Sequence, residues 1–269
     1  MNAFRIALCQ TKAFFDKDES MEMAASYVNR AADNGAKIIS LPEMWNCPYD
    51  NSYFREYSET ENGESVEFMS DLARENEVYL VGGSIPERDG DKIYNSSFVF
   101  NPNGEIIGKH RKVHLFDIDI PGGITFMESE TLSAGESVTV VETEFCKIGV
   151  AICYDVRFPK LFNKMADLDA KLIILPAAFN MTTGPAHWEL LMRSRALDNQ
   201  LYFAANSPAR DLNASYNAYG HSMIVNPWGE ICGKADSLLS IVYGRIDLEY
   251  IEQVREQIPV LTQKRNELY

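Results

Sequence analysis

Disulfide chemistry has little to work with in this chain. Its five cysteines, Cys9, Cys47, Cys146, Cys153 and Cys232, are odd in number, widely spaced and free of any C-x-x-C pair. That excludes a disulfide framework and indicates a reducing, cytoplasmic setting. Histidine is scarce as well, with four in 269 residues. His110 and His114 share a basic turn, while His187 and His221 lack acidic or cysteine companions, so no metal is expected. Positive charge is in deficit: 25 Lys and Arg face 39 Asp and Glu, a formal net charge of −14 with pI near 4.8. A nucleic-acid partner needs a basic surface and is excluded. No apolar run approaches the roughly 20 residues of a membrane span. The amino terminus, MNAFRIALCQ, enters a strand pattern without a basic region and a long apolar one, so neither a membrane anchor nor a signal peptide is expected. No Pro/Gly/Ser-rich linker or charge block divides the chain. With 46% hydrophobic residues, a single domain over 1–269 with a large core is the expectation.

What is present is a regular alternation of short apolar runs and amphipathic stretches. Residues 4–10 read as a buried strand, and 19–35 have helical spacing ending at Gly35. Residues 38–41 form a second apolar run, 64–76 a helix and 78–82 a third strand. Residues 96–100 and 105–108 flank Asn101-Pro-Asn-Gly104, a hairpin signal. The basic run 109–112 follows, and then 116–135 is long and irregular, the kind of loop that carries function.

The pattern then repeats. RIALC (5–9) resembles IGVAIC (148–153), and IISLP (38–42) resembles LIILP (172–176). FVFNPNGEIIGK (98–109) is closely echoed by MIVNPWGEICGK (223–234). Two similar halves are predicted, about 1–112 and 145–247, each strand–helix–strand–helix–strand plus a hairpin. Helices between strands imply parallel pairing, and hairpins add antiparallel strands, so each half builds a mixed sheet. A sheet with helices on one face must cover the other. Packing the two halves sheet to sheet gives a four-layer α-β-β-α sandwich of pseudo-symmetric halves, an α/β fold with mixed sheets. Residues 248–269 read as a carboxyl-terminal arm.

Four polar residues stand where buried strands end or loops begin. Cys153 closes the strand in KIGVAICYDVRFP, where a thiol can face a cleft with the next backbone N–H pointing into the same space. A buried structural cysteine would read the same way locally. Glu43 follows Leu41-Pro42; its counterpart in the second half is Ala177, so the strand end does not itself require a carboxylate. Partial burial there would favour a base role, although a surface ion pair is the alternative. Lys112 ends the basic run and Glu128 lies in the long loop; solvated roles are the alternatives for both. Asp155 and Arg157 read as an ion pair.

Taken together, SLPEMWN (40–46), KHRKVHLFD (109–117) and GVAICYDVRFP (149–159) resemble the three catalytic contexts of the nitrilase superfamily of carbon–nitrogen hydrolases. The resemblance runs over nearly the whole chain. It is closest to the omega-amidase branch, through GGSIPE (82–87), KVHLFDIDIPG (112–122), FNMTTGPAHWELLMRSRALDNQ (179–200) and SPARD (207–211). It implies a nitrilase-like sandwich and a catalytic triad of Glu43, Lys112 and Cys153, with Glu128 orienting Lys112. It implies that the Tyr154 N–H shares the oxyanion with Lys112. Candidates to meet the substrate's remote carboxylate are Phe179, Asn180 and Thr182 of the 179–183 stretch, the Tyr154–Arg157 turn and Arg195, for which a structural role at the helix end is the alternative. The implied reaction is cofactor-free hydrolysis of short dicarboxylic acid monoamides, such as 2-oxoglutaramate, 2-oxosuccinamate and succinamate, through a cysteine thioester. Other chemistries open to the same triad are nitrile or N-carbamoyl hydrolysis. A different class is an interaction protein that kept the fold and lost catalysis. The arm after residue 247 and an outer-layer helix over 188–200 predict a homodimer or higher homo-oligomer.

Overall fold

The structure, a computed structural model, describes residues 2–122 and 125–268. Strand β1 (Ala3–Gln10) leads through helix α1 (Lys17–Asp33), β2 (Ile38–Ser40), a single turn α2 (Asn51–Phe54) and α3 (Glu64–Glu75) to β3 (Tyr79–Val81). Then come β4 (Ile85–Asp89), β5 (Lys92–Phe100), β6 (Ile106–Arg111), and the short pair β7 (Asp117–Asp119) and β8 (Thr125–Met127). The second run is β9 (Thr139–Glu142), β10 (Lys147–Val150), α4 (Pro159–Asp167), β11 (Leu172–Pro176), α5 (Gly184–Asn199) and β12 (Tyr202–Asn206). It closes with β13 (Met223–Val225), β14 (Ile231–Lys234), β15 (Ser240–Asp247) and α6 (Leu248–Gln257).

Local chemistry explains where these elements start and stop. Asp16 accepts from the Asp18 N–H and caps α1, which therefore begins before the apolar periodicity does. Pro159 opens α4, where its missing N–H costs nothing. Each helix-to-strand return passes through the left-handed region. Gly35 does this after α1, Glu77 after α3, Asp169 after α4 and Gln200 after α5. Only the first return uses the residue suited to it. The same bend at four equivalent places is the backbone trace of the internal repeat.

The two sheets are mixed. One runs β15-β1-β2-β3, with β5 continuing the order and pairing with β4 and β6; the other runs β14-β13-β12-β11-β10-β9. β1, β2 and β3 are parallel, as are β10, β11 and β12. Strand parity divides the apolar residues among three cores. Ile6, Leu8, Ile148, Val150, Leu172 and Ile174 meet between the sheets. Ala7, Cys9, Ile39 and Leu41 face α1 and α3. Ile173, Leu175 and Phe203 face Trp188 and Met192 of α5. The layers are therefore helix, sheet, sheet, helix, as predicted.

The halves interlock more than the repeat suggests. β15 leaves the second half and pairs antiparallel with β1 over eight residues, Ala3 opposite Asp247 through Gln10 opposite Ser240. The second sheet takes β9, which precedes residue 145, at its own edge. The 116–135 stretch, apart from Gly123 and Ile124 outside the described residues, holds the β7–β8 ribbon and a 3-10 turn, Glu128–Glu130, and so is not wholly irregular.

Candidate active site

Glu43 lies three residues past β2, in a turn that the return after β3 shapes. Gly83 has φ +59, and a Cβ there would stand 2.1 Å from the Pro42 carbonyl oxygen. The Ser84 N–H donates to that same oxygen at 3.1 Å. The turn delivers the Glu43 carboxylate into the interior, where only 1% of the residue is exposed. Its Oε1 accepts from Lys112 Nζ at 3.0 Å, Asn95 Nδ2 at 2.9 Å and Tyr49 OH at 3.3 Å. Its Oε2 accepts from the Ala178 N–H at 2.6 Å.

Lys112 belongs to a basic run whose alternate residues face opposite ways. Lys109 and Arg111 both reach Glu87, whereas His110 and Lys112 are fully buried on the other side. Lys109 and Arg111 are half-buried in ion pairs, and the reading of a solvated basic turn fails for Lys112. Lys112 Nζ is held between Glu43 and Glu128 Oε1, the latter at 2.9 Å. Burial alone would lower the ammonium; the Glu128 and Glu43 carboxylates overcome it and hold Lys112 above its usual range. Glu128 is itself tied down, accepting from Tyr49 OH at 2.7 Å and from the Phe116 N–H at 2.7 Å.

Cys153 opens a 3-10 turn, Cys153–Arg157, three residues past β10, with φ +47. A left-handed residue with a side chain costs about 1–2 kcal/mol, and strain of this kind collects at reacting groups. Cys153 is 4% exposed, and the Glu43 carboxylate and the Lys112 ammonium both act on its thiol. Burial and the Glu43 carboxylate push it well above an ordinary thiol, with Lys112 opposing. At rest it is a neutral thiol that needs a base, and Glu43 stands beside it. The Tyr154 N–H, next in the chain, has no partner among the described residues.

The remaining sequence candidates divide. Asn180 is buried; its Oδ1 accepts from the Thr182 and Thr183 N–H groups, which fixes the amide, and its Nδ2 is left without a partner. Phe179 packs edge-on against Trp188 at 5.2 Å. Thr182 is exposed on the surface. Arg195 is turned to the Val156 carbonyl at 2.9 Å and to Asp198, so its donors are engaged away from the cluster. Asp155 and Arg157 do not pair. Asp155 meets His110 and His114, and Arg157 lies over the rings of Tyr154 and Phe179. The two histidines of the basic run thus have a shared acidic companion that sequence spacing does not reveal. Among the described residues no group of His, Cys, Asp and Glu is arranged to hold a metal ion.

Sequence reasoning missed Tyr49, Asn95 and the Ala178 N–H. Tyr49 packs at a tilt against Tyr216 with centroids 4.6 Å apart and joins both glutamates. A cavity of about 220 Å³ reaches Glu43, walled by Trp45, Tyr49, Ala178 and Tyr216 and rimmed by the Lys12–Asp211 ion pair. Chemically, the cluster offers a nucleophile, a base beside it, a fixed cation and a free N–H, the parts needed for acyl transfer.

Comparison with known proteins gives the family. Residues 5–256 match the family described as carbon-nitrogen hydrolase. The chain is 53% identical over 269 residues to omega-amidase NIT2 of Danio rerio, covering 100% of this chain and 97% of that one. It is 52% identical over 269 residues to omega-amidase NIT2 of Homo sapiens, covering 100% and 98%. Among solved structures, Saccharomyces cerevisiae Nit3, a member of branch 10 of the nitrilase superfamily, superposes with TM-score 0.91 at 44% identity, covering 98% of this chain and 97% of that one. The C. elegans NitFhit protein superposes with TM-score 0.91 at 31% identity, covering 100% of this chain and 66% of that one.

Proposed function

The chain belongs to the carbon–nitrogen hydrolases of the nitrilase superfamily, and from that membership we infer that it is an omega-amidase. It hydrolyses the terminal amide of short dicarboxylic acid monoamides, such as 2-oxoglutaramate, 2-oxosuccinamate and succinamate, to acid and ammonia. The observation that carries this reading is Lys112 clasped by two buried carboxylates beside Cys153, in a chain half identical over its full length to omega-amidases.

Glu43 takes the proton from Cys153, and the thiolate attacks the amide carbonyl carbon. The resulting oxyanion is received by the Lys112 ammonium and the Tyr154 N–H; losing one such donor costs roughly 3–4 kcal/mol of barrier. The C–N bond breaks as Glu43 returns its proton to the departing nitrogen, leaving ammonia and a thioester. Glu43 then deprotonates a water, which attacks the thioester carbon. Collapse of that intermediate releases the acid and restores the thiol. Glu128 holds Lys112 throughout.

The substrate's remote carboxylate needs a local cation, because the protein's overall charge repels it. Arg157 is that cation in our reading. Its Nε is buried without a partner, and no carboxylate pairs with it among the described residues. The free Nδ2 of Asn180 lies next in sequence to Phe179, over whose ring Arg157 sits. Binding energy at the far end positions the amide against Cys153, so losing it lowers turnover as well as affinity. Comparing succinamate with butyramide tests this: kcat/KM on butyramide falls at least about tenfold, roughly 1.4 kcal/mol. Arg157→Gln narrows that gap. Equal or better rates on butyramide would point to an aliphatic amidase or nitrilase instead.

We also propose a homodimer formed through α5. Leu190 and Leu197, two turns apart, are 65% and 51% exposed, and Trp228 lies close by, on the turn that Arg193 bonds through the Gly229 carbonyl. Light scattering gives about twice the 30.4 kDa chain mass, and Leu190→Glu with Leu197→Glu returns it to one. All five cysteines are free thiols, which supports a reducing location such as the cytoplasm.

A further inference from the structure

Asp155 takes no part in the proton transfers above, yet it is fully buried and its carboxylate is saturated. Oδ1 accepts from the His114 N–H at 2.9 Å and from His114 Nδ1 at 2.8 Å. Oδ2 accepts from the Ile152 N–H at 3.0 Å and from His110 Nε2 at 3.1 Å. Four donors fill the four lone-pair sites a carboxylate offers. Their positions carry the meaning. His110 and His114 bracket Lys112, and Ile152 precedes Cys153. One side chain therefore ties the segment bearing the ammonium to the turn bearing the sulfur.

The Ala178 N–H also crosses between the sheets, to Glu43 Oε2, but it ties the base to the second sheet and not the Lys112 segment to the Cys153 turn. The carboxylates that hold Lys112 Nζ, Glu43 and Glu128, fix where the ammonium ends within the first sheet and its following loop. Cys153 stands in the turn that follows β10 of the second sheet, and apolar packing between sheets does not set side-chain positions to a fraction of an ångström. Catalytic groups must hold to about 0.5 Å. Both histidine rings are oriented in turn. His110 Nδ1 meets Thr139 Oγ1 at 3.0 Å, and His114 stacks on Phe158 with centroids 3.5 Å apart. The bond from Asp155 back to the Ile152 N–H also closes a loop around Cys153, whose left-handed backbone persists only if its surroundings over-determine it.

We propose that Asp155, through His110, His114 and Ile152, is a positioning residue that sets the gap between Lys112 and Cys153 in which the oxyanion forms. This rests on the reading of Cys153 as nucleophile and Lys112 as its oxyanion partner.

The test measures kcat and KM on succinamate, with thermal unfolding followed by circular dichroism. Asp155→Asn keeps the shape but places an amide N–H₂ against two donors. Misplacement by about 1 Å costs on the order of a hundredfold, so kcat falls by about that factor while KM stays within about threefold. His114, which is 28% exposed at its side chain, gives a pair that remains foldable. His114→Leu removes the donor and lowers kcat at least about tenfold, whereas His114→Asn, with an amide N–H near the Nδ1 position, stays within about threefold of wild type. A folded Asp155→Asn with wild-type kcat would overturn the proposal. So would equal losses, or no loss, in the two His114 variants, which decide the matter if Asp155→Asn does not fold. Cys153→Ala is measured alongside. Turnover there would instead overturn the nucleophile assignment, whereas an inactive Cys153→Ala beside an active Asp155→Asn fails the positioning role alone.

Discussion

Glu43 and Ala178 meet across the two sheets, the Ala178 N–H donating to Glu43 Oε2 at 2.6 Å. Ala178 is one residue past Ala177, the counterpart of Glu43 in the internal repeat. The second half thus supplies a backbone donor where the first supplies a carboxylate. A pseudo-symmetric pair of strand ends has been divided into a base and its anchor.

Only Cys153 combines a strained strand end with neighbouring Glu43 and Lys112. Cys153→Ala and Cys153→Ser are expected to fold and to lose at least about a thousandfold in turnover. Cys9 and Cys47 are buried among apolar groups that push their thiols up, and Cys146 is pushed up to about 12 by burial. Each, like Cys232, is replaceable by Ser or Ala with activity retained. Mass spectrometry after brief iodoacetamide treatment should show activity loss tracking modification of Cys153 and no other cysteine.

Tyr49→Phe removes the hydroxyl that donates to Glu128 and reaches Glu43. A hydrogen bond to a charged group is worth about 1.5–3 kcal/mol. Steady-state kinetics should show kcat lowered roughly tenfold to a hundredfold, with the larger change in kcat rather than KM. Unchanged kcat would remove Tyr49 from the site's working parts.

Gly83→Ala combines a left-handed φ with a Cβ 2.1 Å from the Pro42 carbonyl oxygen. Backbone strain and overpacking together predict a loss of about 3 kcal/mol. Because Pro42 precedes Glu43, activity of the folded fraction should fall too. Urea denaturation and kcat on the same preparation check both halves of this expectation.

Glu87 anchors the outward-facing half of the basic run. Burial raises its carboxyl, but Arg111, Lys109 and Ser96 outweigh that and hold it at about 2. Its folded pKa lies below the unfolded one, so the stabilisation is complete above about 4.5 and is lost as pH falls toward 2. Glu87→Gln should cost roughly 2–3 kcal/mol at neutral pH. The gap between wild type and variant in urea midpoint should close as pH drops from 4.5 to 2. A gap that stayed constant with pH would show that the charge on Glu87 is not what stabilises.

The segments just past strand ends, Leu41-Pro42-Glu43 and Ile152-Cys153, the hairpin turns and the repeat that pairs the halves were all legible in the sequence, although β10 stops at Val150 and not at Cys153. These are signals of local period and turn chemistry, carried by neighbouring residues. The Glu43, Lys112 and Cys153 contexts were joined into one site by their resemblance to the nitrilase superfamily, since each alone read equally as a structural residue. Tertiary structure decided the rest. Whether Lys109, Arg111 or Lys112 enters the core depends on which face of β6 meets the second sheet, and β6 is too short and too polar to announce it. Tyr49 and Asn95 reach Glu43 from separate segments, and Asp155 joins residues about forty positions away. The departure of β15 to the first sheet follows from its pairing with β1, at the other end of the chain. Contacts of that span are fixed only when the two sheets pack and every buried polar group must find a partner, and no local pattern in the sequence encodes which partner that will be.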